Sequence, residues 1–312
     1  MGVENKIDMT VKLRDDLVLK NPVLTCSGTF GYGREYEDFM DLNLLGGIVT
    51  KAVTPEPRAG NPPRRLVETP AGLLNSIGLE NVGLDAFVKD KLPYLETLDT
   101  AVFVNVAGTS EDDYVKVVER LSEGGCPAGF ELNISCPNVK KGGMAFGTDP
   151  AAAAELVRRV RRVTRKVLVT KLSPNVTDIT EIARAACGAG TDVLSLVNTF
   201  RGIAIDAERQ QPVLGNVIGG LSGPAIKPLA LYNVYQVSLC SSVPVIGMGG
   251  ITGPVDAVEF LLAGAHAVAI GTANFVNPDT ALRVAVGIEE YCRRKGAGSV
   301  RELVGRAFAE RD

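Results

Sequence analysis

Histidine is almost missing from this sequence. Its 312 residues hold one, His266, inside "LAGAHAVAIG". That apolar connection between a helix and a strand suits a structural role, so an acid or base working near neutral pH must be another residue type. Six cysteines are present (Cys26, Cys126, Cys136, Cys187, Cys240 and Cys292), but no two stand at C-x-x-C spacing. A disulfide framework, a zinc site or an iron–sulfur cluster within the chain is therefore not expected, and no metal ligand is assigned. Excess charge is also lacking: 33 basic against 36 acidic residues give −3, which offers no general attraction to nucleic acid or anionic lipid. No apolar run reaches membrane-span length. The start, "MGVENKIDMT", has no apolar signal core, and Lys6 stands where a myristoylation signal needs Ser or Thr. A cytoplasmic protein is expected. Finally, neither "GTFGYG" (28–33) nor "GMGGITG" (247–253) fits G-x-G-x-x-G, the second having Thr252 at the last position, so a Rossmann dinucleotide site is not indicated.

What the sequence does have is repetition. Eight short apolar runs alternate with helical patterns: "NPVLTCS" (21–27), "GGIVTKA" (46–52), "AVFVNVA" (101–107), "GFELNIS" (129–135), "KVLVTKLS" (166–173), "DVLSLVNT" (192–199), "VPVIGMGG" (243–250) and "AVAIGTA" (267–273). Continuous Val/Ile/Leu runs mark strands buried on both faces, as in a parallel sheet. The clearest helix is "DPAAAAELVRRVRRV", with Asp149 as N-cap, Pro150 at N1 and a stripe of Leu156, Val160 and Val163. Eight such units in one chain predict an α/β fold, a (β/α)8 TIM barrel, with a doubly wound open sheet as the runner-up. No linker divides the chain, so residues 1–312 are read as a single domain. Residues 6–21 alternate apolar and polar around Arg14-Asp15-Asp16, which predicts a hairpin plugging the barrel's N-terminal end. The Pro/Gly-rich stretch 54–83 after the second strand predicts a segment covering the active face. The basic run "RRVRRVTRK" (158–166) has no interleaved aromatics and reads as a solvated helix face rather than a nucleic-acid patch.

The strands end in unusual residues: Ser27, Lys51, Asn105, Asn133, Lys171, Asn198-Thr199, Gly249-Gly250 and Gly271-Thr272. In a parallel barrel these ends converge on the C-terminal face, where active sites of this fold lie. One lysine there is commonly a rim charge. A ring of amides and ammoniums on apolar strands needs partners, which a polar ligand would supply. The glycine loops after strands seven and eight, with "GGLSG" (219–223) upstream, suit a phosphate approached by backbone N–H groups. Carboxamides can read a planar ring through donor and acceptor edges. Together these suit a flavin stacked on a small anionic heterocycle. Lys51 and Lys171 would also suit a Schiff-base aldolase, which leaves the amides and Cys136 without work. A non-catalytic binding barrel is the third possibility. Cys136 by itself reads first as a packed thiol, because free cysteine is among the most buried residue types.

"ELNISCPNVKKGGMAFGTDP" (131–150) and "NSIGLEN" (75–81) resemble the catalytic and substrate loops of class 1 dihydroorotate dehydrogenases, and the likeness runs from about residue 7 to residue 290. A cysteine at 136 resembles class 1, where class 2 carries serine, and "NVKKGGMAFG" is similar to subclass 1B rather than the fumarate-using 1A. The resemblance implies oxidation of dihydroorotate to orotate in pyrimidine biosynthesis. FMN would sit on this chain, while FAD and a [2Fe–2S] cluster would sit on a partner subunit that passes electrons to NAD⁺. A homodimer of catalytic chains within a heterotetramer is implied as well. It also implies roles. Ser27, Lys51, Ala52, Asn105, Asn133, Lys171, Val197, Gly223, Gly249, Gly250, Gly271 and Thr272 would hold FMN. Lys51, Asn75, Ser76, Ile77, Gly78, Leu79, Asn133, Asn198 and Thr199 would surround dihydroorotate. Cys136 would be the catalytic base, on a loop hinged at Gly142-Gly143 and Gly147. A fumarate-dependent class 1A enzyme and a flavoprotein acting on dihydropyrimidines are the nearest alternatives.

Overall fold

The computed structural model describes residues 6–134 and 143–308. Eight parallel strands close into a barrel: β1 (Val23–Thr25), β2 (Gly47–Val49), β3 (Ala101–Val106), β4 (Gly129–Asn133), β5 (Val167–Lys171), β6 (Val193–Leu196), β7 (Val245–Met248) and β8 (Ala267–Ile270). Each pairs with its neighbours in chain order, and β8 returns to β1 through Val268↔Val23. These are the eight runs read from the sequence. Their residues are buried almost throughout, because side chains pointing inward fill the barrel and those pointing outward meet the helices.

The helices between them carry local start signals. Asp149 caps the helix Pro150–Val163 by accepting from Ala151 N and Ala152 N at 2.7 and 3.1 Å. Ser110 and Asp113 form a reciprocal capping box at the start of Glu111–Ser122. The basic run on Pro150–Val163 is structural. Arg159 pairs with Glu111 (2.6 Å) and Asp112, and Lys166 Nζ donates to the carbonyls of Gly124 (2.7 Å) and Pro127 (2.6 Å).

The N-terminal hairpin forms as expected, Val11–Arg14 against Leu17–Leu19, and buries Val11, Leu13 and Leu19. Arg14 fastens it to the barrel's N-terminal end by donating to Asp192 (3.0 Å) and to the carbonyl of Arg165 (2.9 Å). Asp192 also accepts from Arg161 (2.7 Å) and Leu168 N (2.8 Å). Asp192→Ala would leave two guanidiniums and a backbone N–H without their acceptor. We expect a loss of about 2–3 kcal/mol in chemical denaturation.

Over the C-terminal face lies a four-stranded antiparallel sheet in the order Phe200–Ile203, Ile218–Ser222, Gly72–Asn75, Leu66–Thr69. The 54–83 segment does cover this face, but half of the cover comes from a second insertion, after β6. "GGLSG" therefore belongs mostly to a strand rather than to a phosphate loop. Its glycines answer to crowding: a Cβ on Gly220 would sit 2.0 Å from Thr199 Oγ1, and one on Gly219 would sit 2.6 Å from Leu214.

Candidate active site

A cavity of about 500 Å³ opens between the barrel's C-terminal face and this sheet. That volume suits a ligand pocket. Ser27, Lys51, Ala52, Asn105, Asn133, Lys171, Val197, Asn198 and Thr199 line it from the barrel strands and their ends. Gly249, Gly250, Gly271 and Thr272 line it from the loops after β7 and β8, Gly223 from the cover sheet, and Asn75, Ile77, Gly78 and Leu79 from the first insertion. Ser76 is placed differently. It is fully buried behind the cavity wall, its hydroxyl accepting from Asn61 Nδ2 at 3.0 Å, because alternate residues leaving the strand Gly72–Asn75 face opposite sides. Cys136 and Gly142 lie outside the described residues, and Gly147 sits in the short helix Gly143–Thr148.

The floor is a connected polar network. Lys171 Nζ donates to Ser27 Oγ at 3.1 Å and lies 3.5 Å from Glu131 Oε1. Asn105 Nδ2 donates to the same carboxylate oxygen at 2.7 Å, and Ser195 Oγ donates to Oε2 at 2.9 Å. Asn133 Nδ2 donates to Asn105 Oδ1, and Asn198 Nδ2 to Asn133 Oδ1, both at 3.4 Å. The barrel register makes this possible, since Asn105 pairs with Glu131, and Lys171 pairs with Asn133 and Ser195. Glu131 was not singled out in the sequence. The signal was available, because a lone carboxylate inside an apolar strand is rarely buried without a partner.

On the cover side, Lys51 Nζ lies 3.9 Å from Glu80, whose main partner is Arg65 at 2.8 Å. Asn81 is a second residue given no role in the sequence. Its Oδ1 accepts from Thr54 N (3.3 Å) and Gly83 N (2.9 Å), while its Nδ2 donates to the carbonyl of Leu79 (2.8 Å). It thereby fixes a turn in which Gly78 and Leu79 both have positive φ, 77° and 59°. Asn81→Ala is expected to raise KM for the substrate about tenfold with kcat changed less than about threefold, since it loosens the wall and not the floor. Steady-state kinetics checks this.

The loop after β7 is held from behind. Lys227 pairs with Asp256 (2.7 Å) and Glu259 (2.9 Å), and Thr252 donates to Asp256 from both its N–H and its hydroxyl. Burial alone would raise the Asp256 carboxyl, but the hydrogen bonds from Lys227 and Thr252 outweigh it and hold it below the usual carboxylate range. Gly250, at φ 78°, leaves no room for a side chain, because a Cβ would meet the backbone N of Lys227 at 2.7 Å.

The thiol in the wall is inert. Burial pushes Cys26 up to about 12, the nearby Lys171 charge offsetting only part of this. His266 sits at the other end of the barrel, before β8, where Val245 N donates to its Nδ1 at 3.3 Å. Burial lowers its pKa and keeps it neutral. Among the described residues, no helix is long and apolar enough to cross a membrane.

Residues 10–292 match the family model for dihydroorotate dehydrogenase. A protein of Geotalea daltonii named dihydroorotate dehydrogenase B (NAD(+)), catalytic subunit, is 54% identical over 300 residues, covering 96% of this chain and 98% of its own. One of the same name from Desulforamulus reducens is 54% identical over 302 residues, 97% and 99% of the two chains. A crystal structure of an Eimeria tenella DHODH in complex with ferulenol superposes with a TM-score of 0.82, covering 99% of this chain and 91% of that one. At 22% identity this last likeness speaks for the fold.

Proposed function

The chain belongs to the dihydroorotate dehydrogenase family, and from that membership we infer that it oxidises dihydroorotate to orotate in pyrimidine biosynthesis, as the catalytic subunit of an NAD⁺-linked enzyme. The observation that carries the reading is the match of nearly the whole chain to NAD⁺-linked catalytic subunits, with the polar ring gathered on one cavity. The family implies a flavin, and we propose FMN. The residues present suit it: a polar floor of amides and one ammonium, and a wall of Gly223, Gly249 and Gly250 at φ 93°, 121° and 78° where backbone can approach a phosphate. Bound there, the flavin supplies a two-electron acceptor for the hydride leaving C6 of the substrate.

The chain's own groups would do the rest. Ser27, Ala52, Asn105, Lys171 and Val197 would seat the ring, and Gly271 and Thr272 would close on the phosphate with the glycines. Asn75, Asn133, Asn198 and Thr199 would orient dihydroorotate, with Ile77, Gly78 and Leu79 excluding water above it and Ser76 supporting that turn from behind. Lys51 offers positive charge to the substrate carboxylate, and Lys171 stabilises negative charge as it develops over the floor. Cys136 would take the C5 proton from the face opposite the flavin. A partner electron-transfer subunit follows from the relatives' name. We further propose that it carries FAD and a [2Fe–2S] cluster, that two catalytic chains pair within a heterotetramer, and that the assembly is cytoplasmic.

The purified chain should be yellow and should be bleached by dihydroorotate under anaerobic conditions. NAD⁺ reduction should require the added FAD/iron–sulfur subunit. Fumarate turnover by the chain alone would place it instead with the fumarate-using enzymes, and a colourless chain trapped on lysine by borohydride would mark an aldolase.

A further inference from the structure

We propose that Glu131 is the positioning residue of this site: it offsets the charge of the Lys171 ammonium and fixes the direction in which the Asn105, Asn133 and Asn198 amides point. The proposal rests on the flavin and dihydroorotate reading above. Glu131 does not line the cavity. It lies beneath the floor at 2% exposure and acts through the residues that do line it. A buried carboxylate is unfavourable unless its oxygens are satisfied. Here Oε1 receives Asn105 and Lys171, and Oε2 receives Ser195.

A carboxylate can only accept. Asn105 must therefore turn its NH₂ to Glu131, which leaves its Oδ1 to face Asn133 Nδ2. Asn133 then presents Oδ1 to Asn198 Nδ2. At the far end, Asn198 Oδ1 accepts from the backbone N–H of Thr199 at 2.8 Å. That N–H can only donate. The acceptor at one end and the donor at the other impose the same direction, so none of the three amides is free to flip while both ends stand. An amide that flips exchanges donor for acceptor at the edge offered to a ring ligand, which reverses its preference.

The same carboxylate sets the charge of the floor. At 3.5 Å it lies beyond the usual length of a charged hydrogen bond, so it offsets the Lys171 charge while Ser27 Oγ, at 3.1 Å, holds the ammonium at the cavity. Glutamine at this position would leave one positive charge uncompensated under the flavin and, offering a donor as well as an acceptor, would no longer impose one direction on the amide chain.

The test is Glu131→Gln, purified with flavin. Reversible sulfite binding, read as loss of flavin absorbance, reports positive charge near the ring without turnover. We expect sulfite to bind about tenfold more tightly and KM for dihydroorotate to rise about tenfold. Sulfite affinity and KM both within twofold of wild type would overturn the proposal and leave Glu131 a packing residue. Should Glu131→Gln fail to fold, Glu131→Asp keeps the charge but withdraws it by one methylene. It should shift both quantities the same way by about threefold, and no shift in either overturns the proposal equally. A wild-type chain that holds no flavin or ignores dihydroorotate sinks the functional reading itself, before any variant is compared.

Discussion

Replacing Cys136 with serine is expected to cut dihydroorotate oxidation near neutral pH by about 10²–10⁴-fold, with partial recovery as pH rises. Cys136→Ala should lose as much and recover nothing. The expectation follows from what else could take the proton. His266 is held neutral, but at the far end of the barrel, beside Val245 at the start of β7. Cys26 lines the cavity, yet burial drives its thiol to about 12. Burial raises Cys126 to about 11 and raises Cys240 and Cys292 as well. Lys51 and Lys171 lie beside Glu80 and Glu131, at 3.9 and 3.5 Å, which favours their charged, non-basic forms. Cys136 lies outside the described residues, but it follows Asn133, which lines the cavity, by three positions. Were its thiol to reach that cavity, the charges of Lys51 and Lys171 would favour the thiolate. Serine, a far weaker base, would need high pH to replace it. Stopped-flow flavin reduction across pH measures this step apart from later electron transfer. A Cys136→Ala enzyme reducing flavin at near wild-type rate would refute the assignment.

The barrel was legible because its strands are buried on both faces, so "AVFVNVA" is apolar except at Asn105, where it reaches the cavity, and the run in "KVLVTKLS" brings Lys171 to the same cavity. The polar end of each strand is thus a direct record of the site. The cover sheet was only half legible. Ile218–Ser222 reads "IGGLS", poor in β-formers, and becomes a strand because Leu74 and Phe200 both pair with Leu221. The pairing with Leu74 joins residues more than a hundred positions apart, which no local pattern reports. The direction of Ser76 was not legible for a related reason. Membership of a motif does not say which face a residue takes, and the turn sends Ser76 toward Asn61. Glu131 was passed over because a carboxylate inside "GFELNIS" looks like a fault in an apolar strand until the register sets it beside Asn105 and the Lys171 side chain reaches to 3.5 Å of it.

Lys171→Met should be the most destabilising of the floor substitutions, by about 3–5 kcal/mol. It removes one partner of a pair whose side chains are 5% and 2% exposed, and strands Glu131 as a buried charge. The double variant Lys171→Met/Glu131→Gln should recover most of that loss, because Asn105 and Ser195 can still hydrogen-bond to a neutral amide and no ion remains in the barrel. Catalysis should not recover with it, since the positive charge over the floor is gone. Chemical denaturation of the flavin-free proteins gives the coupling between the two positions. Flavin affinity and reduction rate of the loaded proteins give the functional cost. The two readouts must separate if the pair exists for the site. Were the double variant as stable as wild type and fully active, the buried ion pair would be dispensable to both fold and chemistry. Were it as unstable as the single variant, the loss would come from the missing lysine stem rather than from the unpaired charge. A stable but inactive double variant would show that the barrel tolerates apolar packing at this layer, and that the ion pair serves the substrate.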